Sequence, residues 1–417
     1  MKEVDVIIKN QLELIKPDKE DFDKINDISK KFLNELKEKL KKKKIKAEVF
    51  IGGSLAKNTL VKKDIYDIDV FVRFDKSYGD KISKMLEKVL KDVKKVHGSR
   101  DYYHKTIGNI IIEIIPVIKV NKPDQAINVT DLSYFHVNYI LNKLKRNKKL
   151  AEEISLAKTF AFAQNCYGAE SYIHGFSGYA LELLICHYGS FIKFISEMAK
   201  LDISKEKLII DDEKLYPKDK VLENLNKSKS ISPIILIDPT YKERNSLSSL
   251  SNETFYKFQN SCKMFLKKPG TKFFLRKDIE DDFKKYSDVI ILEVKTKKQA
   301  GDIAGTKSKK FFRLFISRLN KEFEIKKSGF NYFEEENIAK FYLVLDKKKP
   351  TTVQGPPINS KNNLSRFKKK HPGMFIKKGF AHFKLKHEKS FENWFKLFLK
   401  KDKKIIEDMN IDKLSRI

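Results

Sequence analysis

The sequence predicts an α+β fold: a small mixed sheet with helices against it at the N-terminal end, a helical central domain, and an α/β C-terminal body and tail. Three observations carry this prediction. Apolar residues recur at helical spacing from Asp21 to Lys44. Two apolar runs, IYDIDVFVRF and NIIIEIIPVIKV, read as strands that carry carboxylates. After a long stretch of helical pattern, strand-like runs return beyond Pro269.

Taken in order, Phe22, Ile25, Ile28, Phe32, Leu36 and Leu40 mark an amphipathic helix. AEVFIGGS reads as a strand ending in a glycine turn, and IYDIDVFVRF as a second strand able to pair with it. SYGDKISKMLEKVLKDVKK reads as a helix, and NIIIEIIPVIKV as a third strand stopped or bulged at Pro116. The opening unit is therefore expected to be α-β-β-α-β. From Leu141 to Leu266 the strongest helices are SLAKTFAFAQNCYGAE and GYALELLICHYGSFIKFISEMAK. IIDDEKLYPKDK reads as a surface loop, and PIILIDPTYKERN as a short strand followed by a turn at Pro239. Beyond Pro269, DVIILEVK, AKFYLVLD and GFAHFKLKH are strand candidates, with SKKFFRLFISRLNKEF as a helix and TTVQGPPINSKNNLS as a loop. A chain of 417 residues is too long for one core. The expected division is a head over 1–140, a central helical domain over 141–265 and a C-terminal body and tail over 266–417.

Composition narrows the function classes. No run of about 18 apolar residues occurs, so no membrane span or membrane partner is expected. The N-terminal stretch mixes charge throughout and has no signal-peptide core. Cys166, Cys186 and Cys262 are scattered and form no ligand pairs, which points to a reduced, cytoplasmic compartment. Cys166 has no base beside it and reads as a packed thiol. Lys and Arg number 87 against 56 Asp and Glu, a net charge of +31. That excess points to a polyanionic partner, nucleic acid first and an acidic membrane surface second, and nucleic acid is favoured. Runs such as Lys41–Lys46 also read as solvated helix ends.

The chemistry is carried by Asp67, Asp69 and Glu113. Two residues apart on a strand, Asp67 and Asp69 share one face, while Ile68 and Val70 point the other way into the core. If the strand bearing Glu113 is adjacent, three carboxylates converge. Like charges so placed repel unless a hard divalent cation neutralises them, and Mg²⁺ prefers oxygen ligands. Two such ions suit an in-line displacement at phosphorus. The competing reading is that these acids face water on an edge strand. The preceding Gly52-Gly53-Ser54 turn weighs against it, because such a turn brings backbone N–H groups and the Ser54 hydroxyl to phosphate oxygens. Lys57 and Thr59 add a charge and a donor to the same turn. GxxxxGK[ST] is absent, so this is not a Walker A loop.

GGSLAKNT followed by DID resembles the polymerase-β-like nucleotidyltransferase superfamily over the first third of the chain. YGAESYIHGFSGYALELL, DLSYFH, IDPTYKERNSLSSLS, QGPPIN and RFKKKH extend the resemblance over nearly the whole chain. Together they resemble archaeal-type (class I) CCA-adding tRNA nucleotidyltransferases. The resemblance implies a polymerase-β-like head and Mg²⁺ held by Asp67, Asp69 and Glu113. It implies CTP and ATP as nucleotides, contacted by Gly53, Ser54, Lys57, His136, Lys158 and Tyr167, with Arg244 and His104 as further contacts to base or ribose. Lys57 stands where the family usually has Arg, so a point charge replaces a fork. The implied substrate is tRNA short of its 3′-terminal CCA. The implied acceptor-arm surface is the C-terminal region, including Lys307, Lys309, Lys310, Arg313, Arg318 and the FKKKH segment, and a homodimer is implied as well. Two alternatives stay open at this point: another RNA nucleotidyltransferase, oligoadenylate synthetase-like or poly(A)-adding, and a non-catalytic RNA-binding relative.

Overall fold

The computed structural model describes residues 2–98, 100–217, 220–276, 278–297 and 301–417. Contacts group these into two compact units, one of 1–169 with 173–276 and one of 170–172 with 277–417. No helix among the described residues is long and apolar enough to cross a membrane.

Unit 1 begins with α1 (Lys2–Ile15) and α2 (Lys19–Lys42), then β1 (Ala47–Ile51), a one-turn α3 (Gly53–Ala56), β2 (Tyr66–Phe74), α4 (Ile82–Glu87), β3 (Lys94–Val96), β4 (Tyr102–Ile107) and β5 (Ile110–Ile118). The strands form one sheet in the order β1-β2-β5-β4-β3. β2 pairs antiparallel with β1 and parallel with β5. Period-two alternation dictates the rest. Ile68, Val70, Val72 and Phe74 are fully buried on one face, against Ile25, Leu36 and Leu40 of α2 and Ile82 and Leu86 of α4. On the other face the far end is covered: Phe71 stacks on Phe50 with centroids 5.2 Å apart, and Arg73 lies 4.1 Å over the Tyr134 ring. The near end carries Asp67 and Asp69.

Four helices surround the second core of unit 1. They are α6 (Leu150–Ala163), α7 (Gly178–Tyr188), α8 (Phe191–Lys200) and α10 (Asn252–Lys267), preceded by α5 (Ser133–Arg146). Phe160, Phe191, Phe258 and Phe265 interlock there edge to face, with centroids 5.4–6.0 Å apart. Between α8 and α10 lie β6 (Leu208–Ile210), α9 (Val221–Asn224), β7 (Ile234–Asp238) and β8 (Tyr241–Asn245).

Unit 2 contains a sheet of β9 (Val289–Thr296), β10 (Phe323–Phe333), β11 (Ile338–Lys347) and β15 (Ile411–Arg416), in the order β10-β11-β9-β15. α11 (Gly301–Leu319), α13 (Phe391–Lys401) and α14 (Lys403–Asp408) accompany it. Phe315 of α11 meets Trp394 of α13 edge to face at 5.4 Å in its core. A second, three-stranded sheet is built from β12 (Thr351–Pro357), β13 (Phe375–Lys377) and β14 (Phe380–Leu385), with α12 (Lys361–Lys370) alongside.

Several sequence expectations need correction. The helix expected after Ser77 closes at Glu87, and the lysine-rich remainder runs into β3. β3 and β4 are strands the sequence reading did not name, so the head sheet has five strands rather than three, and in unit 2 β10, β13 and β15 were likewise not named. Pro116 neither stops nor bulges β5: Val72 pairs with it in unbroken register, and the ladder to β4 ends at Ile114. The run from Gly178 to Lys200 is two helices, broken at Gly189, whose φ of 78° closes α7. TTVQGPPINSKNNLS is not a loop. It supplies β12, at a sheet edge where proline is tolerated, and the start of α12, which also takes up FKKK. The surface loop expected over 209–220 begins within β6, and its residues 218 and 219 lie outside the described residues. α1 was not anticipated.

Candidate active site

The glycine turn and β2 meet at one point. Gly53 has φ 56°, and a Cβ built on it would lie 1.6 Å from Asp69 Oδ2. Only glycine fits, by backbone conformation and by space. The Gly52 N–H donates to the Asp69 carbonyl at 2.9 Å, fastening turn to strand. Across the sheet, Asp69 is paired directly with Glu113 of β5, and Glu113 with His104 of β4. The three acids therefore share one face of adjacent strands.

Their surroundings differ. Asp67 is exposed, with Lys63 Nζ 3.2 Å from its carboxylate. Asp69 is half-buried, and burial pushes its carboxyl above the ordinary range although Lys57 pulls the other way. Glu113 Oε1 lies 3.1 Å from His104 Nε2. Burial, then Lys94, hold the His104 imidazole below its usual pKa, which favours the neutral ring. Among the described residues no three His, Cys, Asp or Glu side chains are drawn close enough together to cage an ion as they stand. The donor set fits a hard divalent cation nonetheless: three carboxylates on one face of paired strands, with Asp69 disfavoured as an anion by its burial.

Beside these acids lies a buried charge cluster that sequence reasoning missed. Glu182 of α7, 2% exposed, accepts from Lys57 Nζ at 2.7 Å and from Lys158 Nζ at 2.8 Å. Lys158 also donates to Thr59 Oγ1 at 3.2 Å. Burial pushes the Glu182 carboxyl up, but Lys158 and Lys57 outweigh that and hold it below its ordinary value. One carboxylate thus ties the glycine turn to α6 and fixes both cations in place. The only sequence sign of it was a lone acid inside the apolar run GYALELLI.

A third group gathers around Asp238 at the end of β7. This fully buried carboxylate lies 2.9 Å from His136 Nε2, and accepts from Arg244 at 2.7 Å and from the Tyr179 hydroxyl at 3.1 Å. The Thr240 N–H and hydroxyl complete its shell. Burial raises the Asp238 carboxyl, yet the hydrogen bonds and charges of His136 and Arg244 bring it well below the usual range. His136 stacks on Tyr179 at 4.1 Å and 22°, giving a flat aromatic platform with a guanidinium at its side. The sequence named His136 and Arg244 separately, and the structure joins them through Asp238.

The remaining named residues distribute as follows. Ser54, Asp67, Lys158 and Tyr167 line a single cavity. Tyr167 follows the end of α6 and is held by a bridge to Phe176. Lys57 does not line that cavity, but Glu182 links it to Lys158, which does. His104 stands in the row of Asp69 and Glu113. Cys166 is fully buried, and burial raises its thiol to about 12, as a packed thiol requires.

Comparison with known proteins agrees along the chain. The profile of the nucleotidyltransferase domain matches residues 29–131, and that of the second domain of tRNA nucleotidyltransferases matches residues 152–275. The chain is 34% identical over 376 residues to the CCA-adding enzyme of Nanoarchaeum equitans, covering 88% of this chain and 90% of that one. It is 31% identical over 392 residues to the CCA-adding enzyme of Methanocaldococcus jannaschii, covering 90% and 86%. The solved structure of the Cid1 poly(U) polymerase with Mg and 3′-dATP bound shares the fold, with a TM-score of 0.52 at 14% identity over 66% of this chain and 99% of that chain. This chain belongs to the archaeal CCA-adding enzyme family of tRNA nucleotidyltransferases.

Proposed function

We propose that the protein adds and repairs the 3′-terminal CCA of tRNA from CTP and ATP, without a nucleic-acid template. The observation that carries the reading is the pairing of Asp69 with Glu113 beneath the Gly53 turn. Family membership gives it its substrate class.

Enzymes of the nucleotidyltransferase family work with divalent metal ions. We assign Mg²⁺ to this site, held by Asp67, Asp69 and Glu113. When bound it supplies Lewis-acid activation of the RNA 3′-hydroxyl and neutralises charge on the leaving pyrophosphate. The protein supplies position and charge. Gly53 and Ser54 bring the turn against the phosphates. Lys57 and Lys158, set in place by Glu182, offset the charge that grows on the leaving group. Tyr167 borders the same phosphates from the α6 side. His136, Tyr179 and Arg244 present a stacking face and donors suited to a nucleobase. Their rigid shell around Asp238 supports selection of C and A by a fixed surface rather than by a template.

In this reading residues 1–140 form the catalytic head, 141–265 complete the nucleotide site, and 266–417 carry the basic surface for the acceptor arm. Recognition by that surface rests mainly on phosphates and A-form shape. A homodimer is part of the proposal on family grounds. The test is incubation with Mg²⁺, CTP, ATP and tRNAs lacking one, two or three terminal nucleotides. Each should be restored to CCA and then stop. Extension past the final A, or none at all, overturns the proposal.

A further inference from the structure

The cavity that holds Ser54, Asp67, Lys158 and Tyr167 does not end at them. It has a volume of about 680 Å³, within the range of roughly 300–1,000 Å³ that takes a small-molecule ligand. None of His136, Tyr179, Asp238 or Arg244 lines it. The base platform therefore lies outside the cavity, whose lining continues past the residues assigned to the phosphates. It runs on between α1, the segment Leu60–Lys63 and the segment Thr271–Arg276.

That extension has a definite chemistry. Phe162 offers an aromatic face, with the Arg276 guanidinium 5.0 Å from its centroid. Lys62 and Lys63 bring two further cations, their side chains 49% and 50% exposed and able to exchange their surface carboxylate partners. Gln11 of α1 lines the same space at 3% exposure, and among the described residues its Oε1 meets no donor. A buried acceptor left so is costly, and a ligand N–H would relieve that cost. Added phosphate charge, a flat ring and an N–H donor describe a second nucleoside joined through extra phosphates.

We infer that this cavity seats the distal nucleoside of a dinucleoside 5′,5′-polyphosphate, and that the enzyme accepts such a compound as nucleotidyl donor. The inference rests on the function proposed above. With diadenosine tetraphosphate, the RNA 3′-oxygen bonds to the phosphorus nearest one adenosine. The bond from that phosphorus to the next bridging oxygen breaks. Adenylate is added to the RNA, ATP leaves with the bonding pair, and the hydroxyl proton passes to water.

The test uses the full chain, Mg²⁺ and tRNA lacking only its terminal A, with either ATP or ATP-free diadenosine tetraphosphate. With the tetraphosphate in large excess, extended RNA and released ATP should appear at equal initial rates, with kcat/KM within about tenfold of that for ATP. Leu14 stands at the cavity rim, 63% exposed, so Leu14→Trp should fold. It should lower kcat/KM for the tetraphosphate by about tenfold or more and leave that for ATP unchanged. Gln11→Leu should lower it by about fivefold with the same selectivity. Extension from ATP but not from the tetraphosphate overturns the inference, as does a Leu14→Trp that slows both donors alike. Failure with ATP itself would instead remove the transfer reading, and this inference with it.

Discussion

Asp69 and Glu113 are directly paired across parallel strands, 44 positions apart in the chain and opposite each other in the β2–β5 ladder. Two carboxylates so fixed, one disfavoured as an anion by its burial, hold an arrangement that contributes nothing to folding. Asp69→Asn should therefore lower transfer by about 10³-fold or more while leaving the melting temperature unchanged or raised. Rate and thermal unfolding measured together check this. Near-normal activity would refute the metal assignment.

Gly53 is required by its φ of 56° and by Asp69, whose Oδ2 would lie 1.6 Å from an added Cβ. Gly53→Ala should cost about 1–3 kcal/mol of stability and remove activity, because relief of the clash displaces the Asp69 carboxylate. Denaturant unfolding beside single-turnover transfer gives both numbers. A variant with full activity would show the turn and strand to be less tightly fastened than described.

Glu182 holds two lysines in a buried site. Glu182→Ala leaves them uncompensated, with an expected loss of about 3–5 kcal/mol. Glu182→Gln keeps the shape and adds net positive charge near the phosphates. Its KM for ATP should not rise, whereas kcat should fall as the lysines lose their fixed positions. A raised KM with unchanged kcat would contradict the positioning role.

Acid should unfold this protein in a defined order. Burial keeps the His136 pKa below its usual 6.5, so the unfolded chain takes up that proton first and stability begins to fall as pH drops past 6.5. Glu182 and Asp238 are held below their ordinary values of 4.5 and 3.8. Their contributions are fully present above those values and are lost as pH falls through the lowered ones. The gap in melting temperature between the wild-type protein and Glu182→Gln should therefore narrow below pH 4.5, which a pH series of thermal melts would show.

With a net charge of +31, tRNA binding should weaken by about tenfold or more between 50 and 200 mM salt. Filter binding across that range decides it. An affinity that barely moved would argue against phosphate-led recognition.

Local pattern made the acids legible. Asp67 and Asp69 interrupt an alternating apolar run, and Glu113 interrupts another, so strand periodicity alone put them on usable faces. What stayed hidden was long-range. Glu182 meets Lys57 across 125 positions, and nothing in GYALELLI says which neighbour its charge faces. Asp238 was visible within IDPTYKERN, but its role as the hub of His136, Tyr179 and Arg244 depends on how β7 docks near α5 and α7. β4 escaped because YYHKTI shows no clean alternation. β12 was read as a loop because its Gly and Pro are turn signals everywhere except at a sheet edge.

Trp394 is the only tryptophan in the chain, and it lies 7% exposed among Phe315, Phe391 and Phe398 in the core of unit 2. Indole emission, excited selectively over the 16 tyrosines, is thus a private optical reporter for that unit. Compared with circular dichroism of the whole chain, it reveals directly whether the two units melt as one cooperative block or in succession.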